Sequence, residues 1–240
     1  MDKIETLQKL IDNATNIVFF GGAGVSTESG LKDFRSKDGL YHLHSKYGRP
    51  YEEMLSHTYF MKHTDTFYEF YREFMIDTSV KPNAAHLYLS KLETRKNLTI
   101  ITQNIDGLHQ MAGSKKVIEL HGSIHRNYCM RCHRLFNLED ILKMNNVPIC
   151  PHCNGLIKPD VVLYEEPLNQ VSLDSAIIAL SRADLLIVAG TSLRVYPASG
   201  LIHYYRGTNI VVINKDHLYI DEGVTLEINE PVGKTFSKLK

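Results

Sequence analysis

All four cysteines of this 240-residue chain fall in two short pairs, Cys129 with Cys132 and Cys150 with Cys153, and 17 residues separate the pairs. This spacing is typical of a zinc ribbon, in which four thiolates surround one Zn²⁺. Two disulfides or a thioredoxin-like redox pair are the alternatives. A redox pair needs no duplicate at ribbon spacing, and the charged amino terminus lacks the apolar stretch of a secretory signal peptide. Four sulfur ligands leave no open coordination position, so we expect a structural metal and place the chemistry elsewhere.

The composition argues against several classes of function. Lys plus Arg equals Asp plus Glu, 27 each, so no net field attracts nucleic acid or an anionic membrane surface. No apolar run approaches the roughly 18 residues that a membrane-spanning helix needs. With 43% hydrophobic residues, the chain can bury one large core, or one core and a smaller satellite. These observations predict a globular cytoplasmic protein and say nothing of its oligomeric state.

Continuously apolar segments alternate with helical patterns along the chain. The apolar segments are residues 16–20, 98–101, 117–120, 184–188 and 209–213. Helical spacing of apolar residues occurs in 2–13, 84–93 and 172–182. Such alternation is typical of an α/β fold with a mostly parallel sheet covered by helices on both faces.

Two segments break this alternation. Residues 37–80 are rich in Tyr, Phe, His and charge, with helical spacing of their aromatic residues, and residues 125–157 carry the cysteine pairs. We interpret both as insertions, a helical module and a zinc-binding module, that together form a smaller domain.

The loop after the first apolar segment is rich in glycine. It begins Gly22-Ala23-Gly24, and Thr27 stands where the dinucleotide fingerprint has its third glycine. Glycines let the backbone approach a phosphate, and the N-terminus of a following helix would offer free N–H groups. No obvious acid follows about 20 residues later to hold a ribose. The loop is therefore a phosphate cradle or an ordinary tight turn, and an ordinary dehydrogenase is disfavoured.

Polar residues follow the other four apolar segments. In chain order they are Gln103, Asn104 and Asp106, then His121, then Thr191 and Ser192, then Asn214 and Asp216. A single residue of this kind is usually a turn residue or a cap. Parallel sheets bind ligands beyond the carboxyl ends of their strands, so four such exits predict a binding cleft there.

Taken together, the chain resembles the sirtuin family of NAD-dependent protein-lysine deacylases, in its bacterial-type, single-domain form. The matching blocks are residues 22–26 with 29–35, 102–106, 121–122, the two cysteine pairs, and 190–193. The resemblance implies NAD as co-substrate and one structural Zn²⁺. It also implies a Rossmann-like NAD-binding domain of residues 1–36, 81–124 and 158–240, with a cleft between it and the small domain of residues 37–80 and 125–157.

The resemblance assigns the cofactor contacts residue by residue. The glycine-rich loop cradles the pyrophosphate, Arg35 adds a charge-assisted contact, and Phe34 walls off the nicotinamide pocket. Asp106 accepts a hydrogen bond from the carboxamide there, and Val232 packs on the adenine. The full implied set is Gly22, Ala23, Gly24, Ser26, Thr27, Phe34, Arg35, Gln103, Asn104, Ile105, Asp106, Gly190, Thr191, Ser192, Asn214, Asp216 and Val232.

The same resemblance makes His121 and Asn104 the catalytic residues. A neutral His121 accepts a proton from the ribose hydroxyls after nicotinamide has left. Imidazole suits this role because its ordinary pKa of about 6.5 leaves much of it neutral at pH 7. The expected products are deacylated lysine, nicotinamide and an O-acyl-ADP-ribose.

Acyl-lysine proteins or peptides are the expected partners. The peptide would add as a strand between residues 158–164 and 193–196, with contacts to Val162, Leu163 and Val195. In the helical module, Tyr68 and Tyr71 would contact the acyl group.

Sirtuins that prefer acidic acyl groups carry a Tyr-x-x-Arg pattern in this module. Here Tyr71 stands at the arginine position, and Arg72 is displaced by about 100° around the helix. We expect Arg72 to face water or a surface carboxylate, and acetyl to be preferred over succinyl.

Two departures from the family pattern lie near the expected site. Lys32 replaces a usual proline before the Asp33–Arg35 stretch, which can loosen the cofactor loop. Glu165 stands where a glycine usually precedes Glu166, so the turn after the peptide-binding strand can differ.

Two other classes of function stay open. One is a protein ADP-ribosyltransferase on the same scaffold, which Asn104, Asp106 and His121 together disfavour. The other is a non-enzymatic NAD or zinc adaptor, which would need no general base in the cleft.

Overall fold

The computed structural model describes residues 2–33, 47–220 and 223–240. The strands in these ranges are β1 (Asn16–Gly21), β2 (Asn97–Thr102), β3 (Val117–Glu119), β4 (Gly122–Cys129), β5 (Leu135–Asn137), β6 (Ile157–Val161), β7 (Leu185–Ala189), β8 (Asn209–Ile213) and β9 (Leu226–Ile228). Six of them form a parallel sheet in the order β3-β2-β1-β7-β8-β9, and three form an antiparallel sheet in the order β5-β4-β6.

The α-helices are α1 (Lys3–Asn13), α2 (Tyr51–Met54), α3 (His57–Lys62), α4 (Thr64–Phe74), α5 (Ala84–Glu93), α6 (Leu108–Met111), α7 (Leu138–Lys143), α8 (Gln170–Arg182) and α9 (Val232–Phe236). Short 3₁₀ helices span Ala23–Val25, Thr27–Ser29 and Ala198–Tyr204. Side chains at the helix starts satisfy free backbone N–H groups. Asp2 caps α1 in this way, Asn169 caps α8, and Asn83 with His86 forms a capping box on α5.

Helices cover both faces of the large sheet, because successive strand residues point to opposite sides. Ile17 and Phe19 of β1 pack with α1, α5 and α9 on one face. Val18 and Phe20 pack with α8 and the Ala198–Tyr204 helix on the other. Burial on both faces explains why these strands read as continuous apolar runs.

The small antiparallel sheet is the base for a third core. Tyr51, Phe60, Phe67, Tyr68 and Phe70 of the helical segment pack against residues of β4, β6 and α7. The two predicted insertions therefore lie against each other, although they are far apart in sequence. None of the helices in the described ranges combines the length and apolar character that crossing a bilayer requires.

The fold class predicted from the alternation of elements is confirmed, and each of the five apolar segments forms a strand of the parallel sheet. The helix expected after the glycine-rich loop consists of two short 3₁₀ turns, and the left-handed Gly30 (φ +102°) ends the second of them.

Candidate active site and metal centre

The exits of five strands converge at one edge of the large sheet. The loop after β1 is tied to the exit of β7, since Gly24 N donates to the carbonyl of Gly190 at 2.8 Å. The exit of β2 is tied to β1 through the 2.9 Å bond from Gln103 N to the carbonyl of Gly21. The candidate residues that sequence reasoning placed at separate strand ends thus lie at one edge of the large sheet.

Glycine is required at positions 22 and 24 by the approach of the two loops. A Cβ at Gly22 would lie 2.8 Å from the Gly190 carbonyl oxygen, and a Cβ at Gly24 would lie 2.8 Å from the Gly190 Cα. Gly190 itself has φ +58°, in the left-handed region. The two loops therefore pack backbone against backbone at this edge of the sheet, which a side chain at position 22 or 24 would prevent.

A polar network joins the β1 loop to the β2 exit. The Ser26 hydroxyl donates to Asp106 Oδ2 at 2.7 Å, and Asn104 Nδ2 donates to the Ser26 Oγ at 3.0 Å. Asp106 Oδ1 accepts from Leu108 N at 2.9 Å. Ser26 and Asn104 are buried, so these bonds fix the orientation of both groups relative to Asp106.

His121 lies at the exit of β3, half-buried beside the same network. Its Nδ1 is 2.9 Å from the carbonyl oxygen of Gln103, which can only accept, so Nδ1 carries the proton. In the neutral imidazole Nε2 is then the free acceptor. Burial lowers the His121 pKa from its ordinary value, and the bond to the Gln103 carbonyl opposes this in part. The environment thus favours the neutral, proton-accepting ring.

The exits of β7 and β8 form the far end of the cleft. Gln103 Nε2 donates to the Thr191 hydroxyl at 3.1 Å, which links the two ends. The Asn214 amide reaches the Asp216 carbonyl at 3.1 Å, and Ser192 is exposed. Val232 is buried in the core at the start of α9.

The other expected cofactor contacts are placed as follows. The Thr27 hydroxyl donates to the Gly24 carbonyl at 3.1 Å, inside the loop. The Ile105 carbonyl accepts from Ile124 N at 3.0 Å. Phe34 and Arg35 lie outside the described residues.

The four cysteines form a compact metal centre. Their Sγ atoms all lie within 4.8 Å of one another. The sulfurs of Cys129 and Cys153 are 3.4 Å apart, and those of Cys132 and Cys150 are 3.8 Å apart. A tetrahedral Zn²⁺ with Zn–S bonds of about 2.3 Å places its sulfurs about 3.8 Å apart, so the residues fit this ion.

Both knuckles of the metal centre share one backbone geometry. The residue after each pair, His133 or Asn154, has a left-handed φ of 58° or 56°. Its N–H donates at 2.9 Å to the carbonyl of the first cysteine in its pair. Gly155 directly follows Asn154. A Cβ at this position would lie 2.8 Å from Cys129 Sγ, so only glycine fits there.

Tyr68 and Tyr71 are both fully buried in the aromatic core. The Tyr68 hydroxyl donates to the Ile157 carbonyl, and the Tyr71 ring stacks on Phe67 at 5.6 Å. The structure therefore does not bring these two side chains to the surface of the cleft.

Arg72 does not face water or a surface carboxylate, and that expectation is wrong. Its Nη2 donates to the carbonyls of Ile141 at 3.0 Å and Met144 at 3.2 Å, at the end of α7. The helix α7 of the zinc-binding module ends against α4, and a cation at a helix C-terminus interacts favourably with the helix dipole.

Of the expected peptide-binding residues, Val162 is hydrogen-bonded to His121. Val162 N donates to the His121 carbonyl at 3.0 Å, and Leu163 is buried with its N–H bound to Glu166. Val195 is half-buried on the opposite segment, after the β7 exit.

Comparison with known proteins agrees with this geometry. The family model described as Sir2 family matches residues 22–197, more than half of the chain. The chain belongs to the Sir2 family. An NAD-dependent protein deacetylase of Clostridium acetobutylicum is 54% identical over 236 residues, which cover 98% of this chain and 96% of that protein. One from Clostridium perfringens is 52% identical over 240 residues, covering 99% and 98%.

Solved structures of Sir2 proteins share the whole fold. A Sir2 structure with a deacetylated p53 peptide and an acetyl-ADP-ribose has a TM-score of 0.89 at 39% identity, covering 99% of this chain and 97% of that one. A structure of Sir2Tm bound to a propionylated peptide has a TM-score of 0.86 at 38% identity, with the same coverage.

This Sir2-family chain contains supporting residues that sequence reasoning missed. His125 Nε2 is 3.0 Å from the Asp106 carbonyl, and its ring fills the space beside Gly107. Asn83 Nδ2 donates to the Val25 carbonyl at 2.8 Å and to Ser29 Oγ, and so holds the loop after β1. Asn83 could have been found from the sequence, because it directly precedes the predicted helix at 84–93 and asparagine is a common cap there. No sequence pattern indicated His125.

Proposed function

We propose that the chain is an NAD-dependent protein-lysine deacetylase, which releases nicotinamide, O-acetyl-ADP-ribose and deacylated lysine. The observation that carries this proposal is the neutral imidazole of His121. Its Nδ1 is fixed on the carbonyl of Gln103, the residue before Asn104, and this leaves Nε2 as the acceptor nitrogen of the neutral ring. NAD, when bound, supplies a ribose carbon activated by a leaving nicotinamide and hydroxyls whose protons must be removed.

Each protein group then has one task. The Gly22–Gly24 loop, which its glycines allow to pack on Gly190, lies against the pyrophosphate. Asp106 accepts from the nicotinamide carboxamide, and the bonds of Ser26 to Asp106 and Asn104 hold both side chains in place. His121 Nε2 takes a proton from a ribose hydroxyl, and the Gln103 carbonyl stabilises the imidazolium that forms. The four-cysteine zinc site holds structure only.

An acetyl-lysine peptide incubated with NAD and analysed by mass spectrometry tests the proposal. Deacetylated peptide together with O-acetyl-ADP-ribose supports it. A mass gain on protein or peptide from ADP-ribose would favour an ADP-ribosyltransferase, and no change would favour a non-enzymatic adaptor.

The pH dependence of turnover should report the lowered pKa of His121. Because the neutral ring is the base, activity is present above its pKa and is lost as pH falls through it. We expect the acid limb of log kcat/KM to lie below pH 6.5. Burial also lowers the pKa of His86 to about 4 and of His109 to about 3, so circular dichroism must check folding at each pH. An acid limb centred above pH 7 in folded protein would contradict the assignment.

Asp106→Asn should weaken inhibition by nicotinamide about tenfold, because a charge-assisted hydrogen bond to the carboxamide is replaced by a neutral one. Asparagine also keeps one acceptor oxygen, whereas Asp106 uses two, for Ser26 and Leu108. The measurement is the nicotinamide inhibition constant.

Asp184→Asn is the matched control for this change. Asp184 likewise accepts two hydrogen bonds, here from the backbone N–H groups of Thr15 and Asn16, but at the opposite edge of the sheet. If the nicotinamide inhibition constant of Asp106→Asn were unchanged, the assignment of Asp106 to the nicotinamide pocket would be wrong.

We further propose acetyl-lysine peptides as substrates, with acetyl preferred over succinyl. Arg72, the arginine nearest to Tyr71 in sequence, is committed to carbonyls of α7 and cannot pair with a succinyl carboxylate. An unpaired charge in a closed cleft is costly, so kcat/KM for succinyl should be at least about tenfold lower. A butyryl peptide of the same chain length separates charge from size. Equal kcat/KM for succinyl and acetyl would contradict this.

Two coarser proposals complete the description. We propose a division into an NAD-binding domain of residues 1–36, 81–124 and 158–240 and a small domain of residues 37–80 and 125–157, supported by the second sheet and the aromatic core. Two of these borders fall inside β4 and β6, so those strands run from one unit into the other. We also propose a cytoplasmic location, where thiols stay reduced and can bind zinc.

A further inference from the structure

A tight turn follows β6 at residues 163–166. Glu166 N donates to the Leu163 carbonyl at 3.0 Å, and Glu165 at the third position has φ +75°. A turn with this bond and a positive φ at its third residue is of the type II kind, which favours glycine at that place. Glutamate there is strained, so its side chain should make a compensating contact.

The Glu165 side chain makes that contact with the helical segment. Its carboxylate accepts from Thr58 N at 2.8 Å, in the first turn of α3. A carboxylate at this end of a helix satisfies a free N–H group and interacts favourably with the helix dipole. A glycine at position 165 would relieve the strain but could not make this bond.

Glu166 extends the same connection. One carboxylate oxygen lies 2.8 Å from His57 Nδ1, and the other lies 3.0 Å from Lys158 Nζ and 2.9 Å from Leu163 N. Only 4% of the Lys158 side chain is exposed, and the bond to Glu166 pairs this buried ammonium with a carboxylate.

Backbone bonds make the connection continuous from the cleft to α3. Val162 N donates to the His121 carbonyl at 3.0 Å, and Tyr164 N donates to the Leu55 carbonyl at 2.9 Å. His57 N donates back to the Tyr164 carbonyl at 3.0 Å. Residues 162–166 are therefore fixed to His121 at one end and to the helical segment at the other.

We propose that Glu165 and Glu166 are positioning residues for the substrate peptide. They hold residues 162–164 as a pre-formed wall of the cleft, so that the peptide does not have to order this wall when it binds. The inference rests on the proposed function, because it assumes that the peptide lies along residues 162–164. The glutamate at position 165, where the family usually has glycine, then has a structural role. Its carboxylate accepts from Thr58 N and so holds this wall of the cleft against the helical segment.

Three variants at position 165 test the proposal. Glu165→Ala keeps the strain and loses the bond, Glu165→Gln keeps an acceptor oxygen for Thr58 N, and Glu165→Gly loses both the strain and the bond. We expect peptide Kd, measured by fluorescence anisotropy with an acetyl-lysine peptide, and peptide KM to rise at least about tenfold in Glu165→Ala, the size expected for a lost hydrogen bond to a charged group. Glu165→Gln should stay within twofold of the unmodified protein, and kcat and the KM for NAD should change little in either variant.

Asp174→Ala is the control, since it removes a surface carboxylate that accepts from Gln170 on α8. An unchanged peptide Kd in Glu165→Ala would overturn the proposal. So would a Kd at or below the unmodified value in Glu165→Gly, because strain and not the bond would then set peptide affinity. Since Kd is measured without turnover, failure of the proposed deacetylation appears separately, as peptide that binds but is not deacetylated.

Discussion

Replacing His121 by alanine is expected to lower deacetylation by at least about a thousandfold, because the general base that accepts the ribose proton is removed. The affinity for NAD should change little, since His121 contacts the protein through the Gln103 carbonyl and its role is proton transfer. The measurements are kcat/KM for an acetyl-lysine peptide and the Kd of NAD.

A second substitution separates the loss of the base from the loss of packing. His121→Asn keeps an N–H donor for the Gln103 carbonyl but offers no basic nitrogen, so it should be as inactive as His121→Ala. His203→Ala, at an exposed histidine of the Ala198–Tyr204 helix, should retain full activity. Near-normal turnover in either variant of His121 would mean that the base lies elsewhere.

Cys150→Ser is expected to abolish zinc binding and to unfold the small antiparallel sheet. Structural zinc contributes about 10 kcal/mol or more to the folding of small ribbons, and a serine hydroxyl does not replace a thiolate ligand. The sulfur of Cys150 lies 3.8 Å from that of Cys132, so its loss opens the tetrahedron. Zinc content by elemental analysis and thermal melting of the purified protein measure both effects.

The neighbouring His152 provides the matched control. It lies between two cysteine ligands in the same knuckle but is outside the four-sulfur cluster, so His152→Ala should keep its zinc and its melting temperature. A monodisperse, metal-free and fully active Cys150→Ser protein would contradict the structural role of the metal.

The parallel sheet and the metal centre could be predicted from sequence because both have local signals. Strands buried on both faces give continuous apolar runs, and a zinc ribbon gives fixed cysteine spacing. Residues at strand ends could be assigned to one cleft because parallel strands end at the same edge.

What could not be predicted depends on contacts between distant segments. Arg72 binds carbonyls of α7, about 70 positions further along the chain, and no periodicity within α4 reports that contact. The burial of Tyr71 likewise depends on how the two inserted modules pack. The sequence showed only that Glu165 stands where the family usually has glycine. Its left-handed backbone and its bond from Thr58 N, more than 100 positions earlier in the chain, could not be predicted.

The order of strands in the large sheet has a consequence for synthesis on the ribosome. The central strand β1 pairs with β2 on one side and with β7 on the other, so Phe20 meets Val188 only after most of the chain has been made. Because translation proceeds at about 5–20 residues per second, β7 is made roughly 10 seconds or more after β1. During this time one apolar edge of β1 is unpaired. Nascent chains should therefore depend on chaperones during that interval, and slowing translation after residue 130 should increase aggregation.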